Sequence, residues 1–423
     1  MMASYSERSP LLNGTSPEGP KPTISQRLSS LIEAEGEPSW PNSIRSFVFG
    51  TYLNVLLVFV PLSFISHNLN WDAALRFSFS FLAIVPLAKL LGDCTEQMSF
   101  SLGQTLAGLL NASFGNAVEI IVGVAALLQD EMEIVQTSML GSVLSNILLV
   151  LGCSFIAGGL VRKESNFQVT AAQASSSLMT LSCITLVLPA AYNSAQGNEK
   201  NEHGLAIISR GTSVILLVVY IIYLVFQLKT HASLYDGTNN NPSDPESGPA
   251  NNPSSREADG QAALNEPKEE PTMNLLSATL GLLVVTVITS FCADYLVASI
   301  EETAERYHIP KKFIGLILLP IVANAAEHVT AVWMAMKNKM EITIGVCVGS
   351  SIQIATFVIP LLVIIGWASG HNLTLYFANF ETVVFFVAVI LTNTLIQDGK
   401  SNYMEGVLLI SLYLVIALAF WVT

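Results

Sequence analysis

Gly115-Asn116-Ala117-Val118-Glu119-Ile120 and Ala323-Asn324-Ala325-Ala326-Glu327-His328 decide the fold of this chain. Each sets a carboxylate and an amide inside an otherwise apolar run. The two segments stand 208 residues apart (324 − 116, and 327 − 119). The same offset, without a gap, carries Glu133-Ile134 onto Glu341-Ile342 and Gly141-Ser142 onto Gly349-Ser350. Leu110 meets Leu318, and Leu109 meets the similar Ile317. A register held through a helix, a short loop and a second helix marks an internal repeat.

The surroundings of both segments are a membrane. Of 423 residues, 51% are hydrophobic and 12% charged, where a soluble domain carries roughly 25% charged residues. Eleven stretches approach the length of about 20 apolar residues that a spanning helix needs. They lie at 46–66, 73–92, 103–128, 134–160, 169–192, 205–228, 273–299, 312–337, 341–368, 376–396 and 404–422. The expected fold is therefore an all-α integral membrane protein of eleven helices. The first helix stands apart. Helices two to six (73–228) form one repeat, and helices seven to eleven (273–422) the other. Five is odd, so the second repeat enters the bilayer from the opposite side, which is inverted-repeat transporter logic.

Two hydrophilic segments flank this core. Residues 1–45, rich in Ser, Pro and Glu, read as a disordered tail. Residues 230–272 read as an acidic connection in which Glu257, Asp259, Glu266, Glu269 and Glu270 form either a short helix or part of a solvated linker. With the N-terminus in the cytosol, thirteen Lys and Arg fall on that side and six on the other. That asymmetry favours a cytosolic N-terminus and, with eleven crossings, a lumenal C-terminus. The net charge of −13 argues against nucleic acid, whose binding needs basic residues. The five cysteines show no metal-ligand or disulfide spacing. The sequence sets no oligomeric state.

A buried carboxylate in lipid costs several kcal/mol unless it is paired, hydrated or bound to an ion. Two of them, Glu119 and Glu327, balance one divalent cation. Ca²⁺ takes about 6–8 oxygens, so neighbouring groups must contribute. Asn116 and Asn324 precede their Glu by three residues, on the same helical face. Backbone loosened at Gly115 and Ala323 would add carbonyls. Gly141-Ser142 and Gly349-Ser350 lie on the next helix, where Ser142, Ser145, Asn146, Ser350, Ser351 and Gln353 are candidates to lend oxygens or orient the carboxylates. Packing through small residues is the alternative reading of this helix. No cofactor is implied, since a cation in this site would be a transported substrate.

These paired segments with their Gly-Ser partners resemble the cation/proton exchanger family of the calcium/cation antiporter superfamily, closest to the fungal vacuolar type. The likeness covers roughly residues 46–422. It implies an eleven-helix fold with inverted five-helix repeats. It also implies exchange of lumenal H⁺ for cytosolic Ca²⁺, with Glu119 and Glu327 as shared ligands, and an acidic segment near the cytosolic entrance. Ala323 in place of a second glycine departs from the first repeat.

Competition for one site suffices to couple the ions, because each Glu holds either a proton or part of a cation. Glu96 and the Glu301-Glu302 pair, at the ends of helices two and seven, are candidate proton relays or gates on opposite faces. His328, beside Glu327, is a candidate for proton coupling, since His titrates between about pH 5 and 8. Asp294 lies deeper in helix seven and reads as a buried acid without an assigned partner. Three alternatives stay open: a Na⁺- or K⁺-coupled calcium exchanger, a Mn²⁺/H⁺ exchanger, and an intramembrane metalloenzyme. The last lacks the second His of an HExxH site. Glu7-Arg8-Ser9-Pro10-Leu11-Leu12 resembles an acidic dileucine sorting signal for vacuolar or lysosomal delivery. Asn372-Leu373-Thr374 reads as a glycosylation sequon on the far side, very near the membrane.

Overall fold

The computed structural model describes residues 43, 45, 47–48, 50–102, 104–195, 202–231 and 272–422. The acidic residues Glu257, Asp259, Glu266, Glu269 and Glu270 and the 1–42 tail lie outside the described residues. Among the described residues the fold is helical apart from one two-residue strand pair, Ser165–Asn166 against Lys400–Ser401. Helix is the expected answer in lipid, where every backbone polar group must be satisfied within its own segment.

Eight helices are long and apolar enough to cross a bilayer, and a ninth crossing is a bent pair, Lys311–Ala323 and Ala325–Met336, meeting at 58°. Tyr52–Asn68 and Ala117–Leu128 are shorter apolar helices. The count falls short of eleven long helices for a physical reason. The 103–128 and 312–337 stretches, largely apolar, are each interrupted at the Asn of their Asn-Ala-x-Glu segment. Gln104–Phe114 ends before Gly115-Asn116 and Ala117–Leu128 begins after it. Ala323 ends one half-helix and Ala325 begins the next.

Two long antiparallel helices frame one side. Ala73–Leu102 packs along Leu275–Tyr307. At one end Gln97 Oε1 accepts from the backbone N–H of Thr272 and Met273 (2.8 and 3.2 Å). At the other, Arg306 pairs with Asp72 at 2.5 Å and Arg76 pairs with Glu302. These ends define two faces. The near face carries Gln97, the 162–168 turn and the strand pair; the far face carries Asp72, Glu131, Lys311 and the 371–378 loop. Asp294, expected to be buried, is exposed on the surface of Leu275–Tyr307, where Gln129 donates to its backbone carbonyl at 3.2 Å. Its helix turns it outward from the core that Cys292, Ala293 and Leu296 face.

The far face is tied shut by ion pairs between the two halves of the chain. Lys311 meets Glu131 at 3.0 Å, Lys312 meets Glu133 at 3.9 Å, and His371 faces Asp130 at 3.5 Å. Lys312 also pairs with buried Glu381 at 3.0 Å.

Met132–Val161 and Met340–Ser369 are the central helices; 67% of each span's most apolar window is buried, against 17% for peripheral His203–Thr230. Both central helices contain a π-turn just after the Gly-Ser pair, at Ser145–Val150 and Ile354–Val358. Such turns shift the side-chain register by one residue and recur at functional sites. Gly141 lets the first central helix cross the 314–318 segment at backbone contact, since a Cβ there would overlap the Leu316 carbonyl.

Candidate cation site

The two breaks set the site. Asn116 (φ −110°, ψ 33°) and Asn324 (φ −88°, ψ 10°) each leave the helical region and precede a new helix. Glu119 and Glu327 therefore stand in the first turn of Ala117–Leu128 and Ala325–Met336. A helix N-terminus presents unsatisfied N–H groups and a positive dipole end, which favour a carboxylate by roughly 0.3–1 kcal/mol, up to about 2 when partly buried. The break thus offsets part of the cost of placing an acid in lipid.

The breaks are not identical. The first takes two residues, Gly115 and Asn116, and the second only Asn324. A Cβ on Gly115 would lie 2.6 Å from the Asn111 carbonyl, so this turn requires glycine. Ala323 ends its half-helix in ordinary geometry. The Gly115/Ala323 difference in sequence therefore changes the length of the break, not its occurrence.

Asn116 is fully engaged across the interface. Its Nδ2 donates to Gln353 Oε1 (2.7 Å), and its Oδ1 accepts from Ser350 Oγ (2.8 Å). Asn146 Nδ2 donates to Ser350 Oγ at 3.0 Å. Ser350 and Asn146 both face the Glu327 carboxyl, and Glu119 and Glu327 lie close enough to interact electrostatically. Asn324 Nδ2 donates to the Ser142 carbonyl at 3.2 Å. Three buried oxygens gathered here accept no hydrogen bond: Glu327 Oε2, Asn324 Oδ1 and Asn146 Oδ1. Buried polar atoms are rarely left so. Ser145 turns instead to the Tyr413 hydroxyl. Hard oxygen donors around two carboxylates fit a hard divalent cation.

A cavity of about 760 Å³ leads to this point from the near face. Glu119, Glu327, Ser350, Gln353 and Gly115 line it, and so does Glu96. Glu301 and Glu302 stand on the opposite face, paired with Lys311 and Arg76. Ser351 is not brought to the site: it is buried and donates to its own helix at Cys347 O (2.8 Å). His328 is half-buried and lies outside the cavity lining. The cavity also holds residues that the sequence did not point to as site residues, notably Asp93, Asn111 and Thr330, together with Glu341, known there only as a repeat match. The signal for Asp93 was present, since the 208-residue offset carries it onto Glu301.

Residues 72–229 and 277–422 match the family described as sodium/calcium exchanger protein. This chain belongs to that family. A vacuolar calcium ion transporter of Schizosaccharomyces pombe is 45% identical over 378 residues, covering 89% of this chain and 86% of the relative. A Ca²⁺/H⁺ antiporter of Synechocystis is 43% identical, covering 87% of this chain and 96% of the relative. The crystal structure of a selenium-substituted Ca²⁺/H⁺ antiporter, YfkE, superposes with a TM-score of 0.70 at 31% identity, covering 88% of this chain and 99% of that one. The family segments end at 229 and resume at 277, so the acidic connection falls between them.

Proposed function

We propose that this exchanger carries Ca²⁺ from the cytosol into an acidic organelle, most naturally the vacuole, in exchange for H⁺. The observation that carries the reading is the pair Glu119 and Glu327 at the floor of a cavity, among buried oxygens that lack partners. Relatives named as vacuolar calcium transporters and Ca²⁺/H⁺ antiporters support it. Eleven crossings follow if Tyr52–Asn68 spans and if each broken pair counts once. Helices two to six and seven to eleven are then inverted repeats, and the near face is cytosolic.

The cycle follows from charge. At the cytosolic pH both carboxylates are available to one Ca²⁺, and their charges cancel in the dry interior. Facing the acidic lumen, protons displace the ion and leave two neutral acids, again without net buried charge. Lowering lumenal pH therefore speeds release, and lowering cytosolic pH slows loading. The decisive measurement is Ca²⁺ uptake into vesicles holding the purified protein, driven by a pH gradient in Na⁺- and K⁺-free medium. Uptake is expected there, and its strict dependence on added Na⁺ or K⁺ would overturn proton coupling. Replacing Ca²⁺ by Mn²⁺ in the same assay ranks the two cargoes.

His328 is assigned a share in proton coupling. Its imidazole directly follows a ligand carboxylate and is only half-buried. His328→Ala is expected to move the midpoint of the uptake–pH curve by about half a unit, with Ca²⁺ affinity at high pH preserved. An unmoved midpoint leaves the protons to the two glutamates alone.

A further inference from the structure

The turns that end the two Glu-bearing half-helices are built alike and charged differently. Ala117–Leu128 runs into Gln129-Asp130-Glu131, and Ala325–Met336 into Lys337-Asn338-Lys339. The 208-residue offset carries one turn onto the other (338 − 130). Asp130 (φ 59°) and Asn338 (φ 64°) both take the left-handed conformation. Equivalent bonds close the two turns: the Asp130 N–H donates to the Leu127 carbonyl at 3.2 Å, and the Asn338 N–H to that of Ala335 at 3.1 Å. Each turn meets the end of a central helix. The far-face turn meets Gly370-His371 and the near-face turn meets Arg162-Lys163, again one offset apart (370 − 162).

On the far face the protein supplies both signs of charge. His371 Nε2 faces Asp130 at 3.5 Å, and Lys311 holds Glu131 at 3.0 Å. On the near face both sides of the junction are basic. Arg162 Nη1 donates across it to the Met336 carbonyl at 3.4 Å, beside Lys337 in the chain. Arg162, Lys163 and Lys337 are exposed and form no ion pair among the described residues. Glu164, which follows them, is taken by Lys400 at 2.6 Å. Arg76, Lys89, Arg306, Lys311 and Lys312 all have carboxylate partners elsewhere. The unpaired cations also stand at a membrane surface. Both apolar spans end one residue before them, at Val161 and Met336. Just inside that level Leu160, Val161, Trp333 and Met336 are exposed, and the Lys337 ammonium lies 5.2 Å over the Trp333 ring. Trp with adjoining Lys and Arg marks the depth of lipid headgroups.

We propose that the near-face junction binds an anionic phospholipid whose headgroup carries a phosphomonoester, a phosphorylated inositol lipid. Its phosphates supply the negative charge that carboxylates supply at the equivalent far-face junction. The Arg162 guanidinium suits a phosphate through two parallel hydrogen bonds, and Lys163 and Lys337 add point charges. A diester and a monoester phosphate together carry roughly three negative charges, matching three cations; a phosphatidylserine headgroup carries fewer. The acyl chains lie over Leu160, Val161, Trp333 and Met336. Met336 ends the half-helix whose first turn holds Glu327, and Val161 ends the first central helix. The bound lipid thus ties the two halves of the chain together at the end of a ligand-bearing helix.

The test is a lipid titration of the purified full-length protein in detergent, read by native mass spectrometry. The probes are phosphatidylinositol phosphate, phosphatidylserine and water-soluble inositol phosphate. The phosphorylated lipid is expected to bind at least about tenfold more tightly than phosphatidylserine. The triple variant Arg162→Gln, Lys163→Gln, Lys337→Gln is expected to weaken it by about 100-fold, roughly fivefold for each charge removed. Lys229→Gln, which removes an exposed cation at the end of His203–Thr230, is expected to leave the affinity unchanged. If the triple variant fails to assemble, Arg162→Gln and Lys337→Gln serve singly, each about fivefold weaker. Undiminished binding by these variants, an equal loss in Lys229→Gln, or equal affinity for phosphatidylserine overturns the site. Equally tight binding of soluble inositol phosphate overturns a lipid as its occupant. Failure of gradient-driven Ca²⁺ uptake would remove the antiport reading and leave this binding untouched.

Discussion

Glu327→Gln, and equally Glu119→Gln, is expected to reduce Ca²⁺ uptake by at least about 100-fold while the protein folds and reaches the membrane. The Coulomb attraction of one carboxylate for Ca²⁺ at about 2.4 Å is on the order of 10 kcal/mol at an effective dielectric constant of about 20, before desolvation. Gln keeps an oxygen at the same reach but loses that charge, and about 3 kcal/mol of net loss already gives the 100-fold effect. Folding should be spared, because the amide mimics a protonated carboxyl and removes the cost of a buried charge. Glu119 is 3% exposed, and its companion lies near enough to feel its charge. Removing either acid therefore also relieves repulsion. Uptake assays on protein shown intact by its thermal melt decide the matter: wild-type rates in either variant would remove both residues from the site.

The sequence made some of this legible and hid the rest for identifiable reasons. The offset between the Asn-Ala-x-Glu segments led directly to Glu119 and Glu327 beside one cavity. Polar chemistry led to the bonds of Asn116 with Gln353 and Ser350, which join the two halves of the chain. Hydropathy could not show that the third and eighth stretches break in mid-membrane, because it records composition and not backbone direction. The signal was the Asn itself, a residue that tolerates non-helical backbone beside its own helix start. Ser351 was misplaced because, one position past Ser350, it turns to another face of its helix. Asp294 was expected inside because its helix is apolar, although one side of that helix faces outward. Glu96 and Glu301 stand as counterparts at the ends of helices two and seven, but strict register pairs Asp93 with Glu301 and Glu96 with Ala304. An acid in one position thus corresponds to a small apolar residue in the other.

Gly141→Leu and Gly349→Leu are expected to fail in different ways, although the two glycines are repeat equivalents. At Gly141 any Cβ overlaps the Leu316 carbonyl and crowds the Pro320 ring (2.7 Å). The first is backbone, which cannot step aside as a side-chain tip can. Overpacking of this kind costs about 1–3 kcal/mol or more, so Gly141→Leu should lower the melting temperature and the yield. Gly349 faces open space in the cavity wall. Its leucine variant should melt like the parent and still bind Ca²⁺ from the near face. It should nevertheless lose transport by about tenfold or more, because closing the near face brings Gly349 into the packing that Gly141 already has on the far face. Gly349→Ala, with a single methyl, should fall between the parent and the leucine variant. Binding and transport must therefore be measured on the same preparation. Equal loss of both in Gly349→Leu would make it an ordinary packing defect, whereas binding without turnover identifies the surface on which the cavity closes.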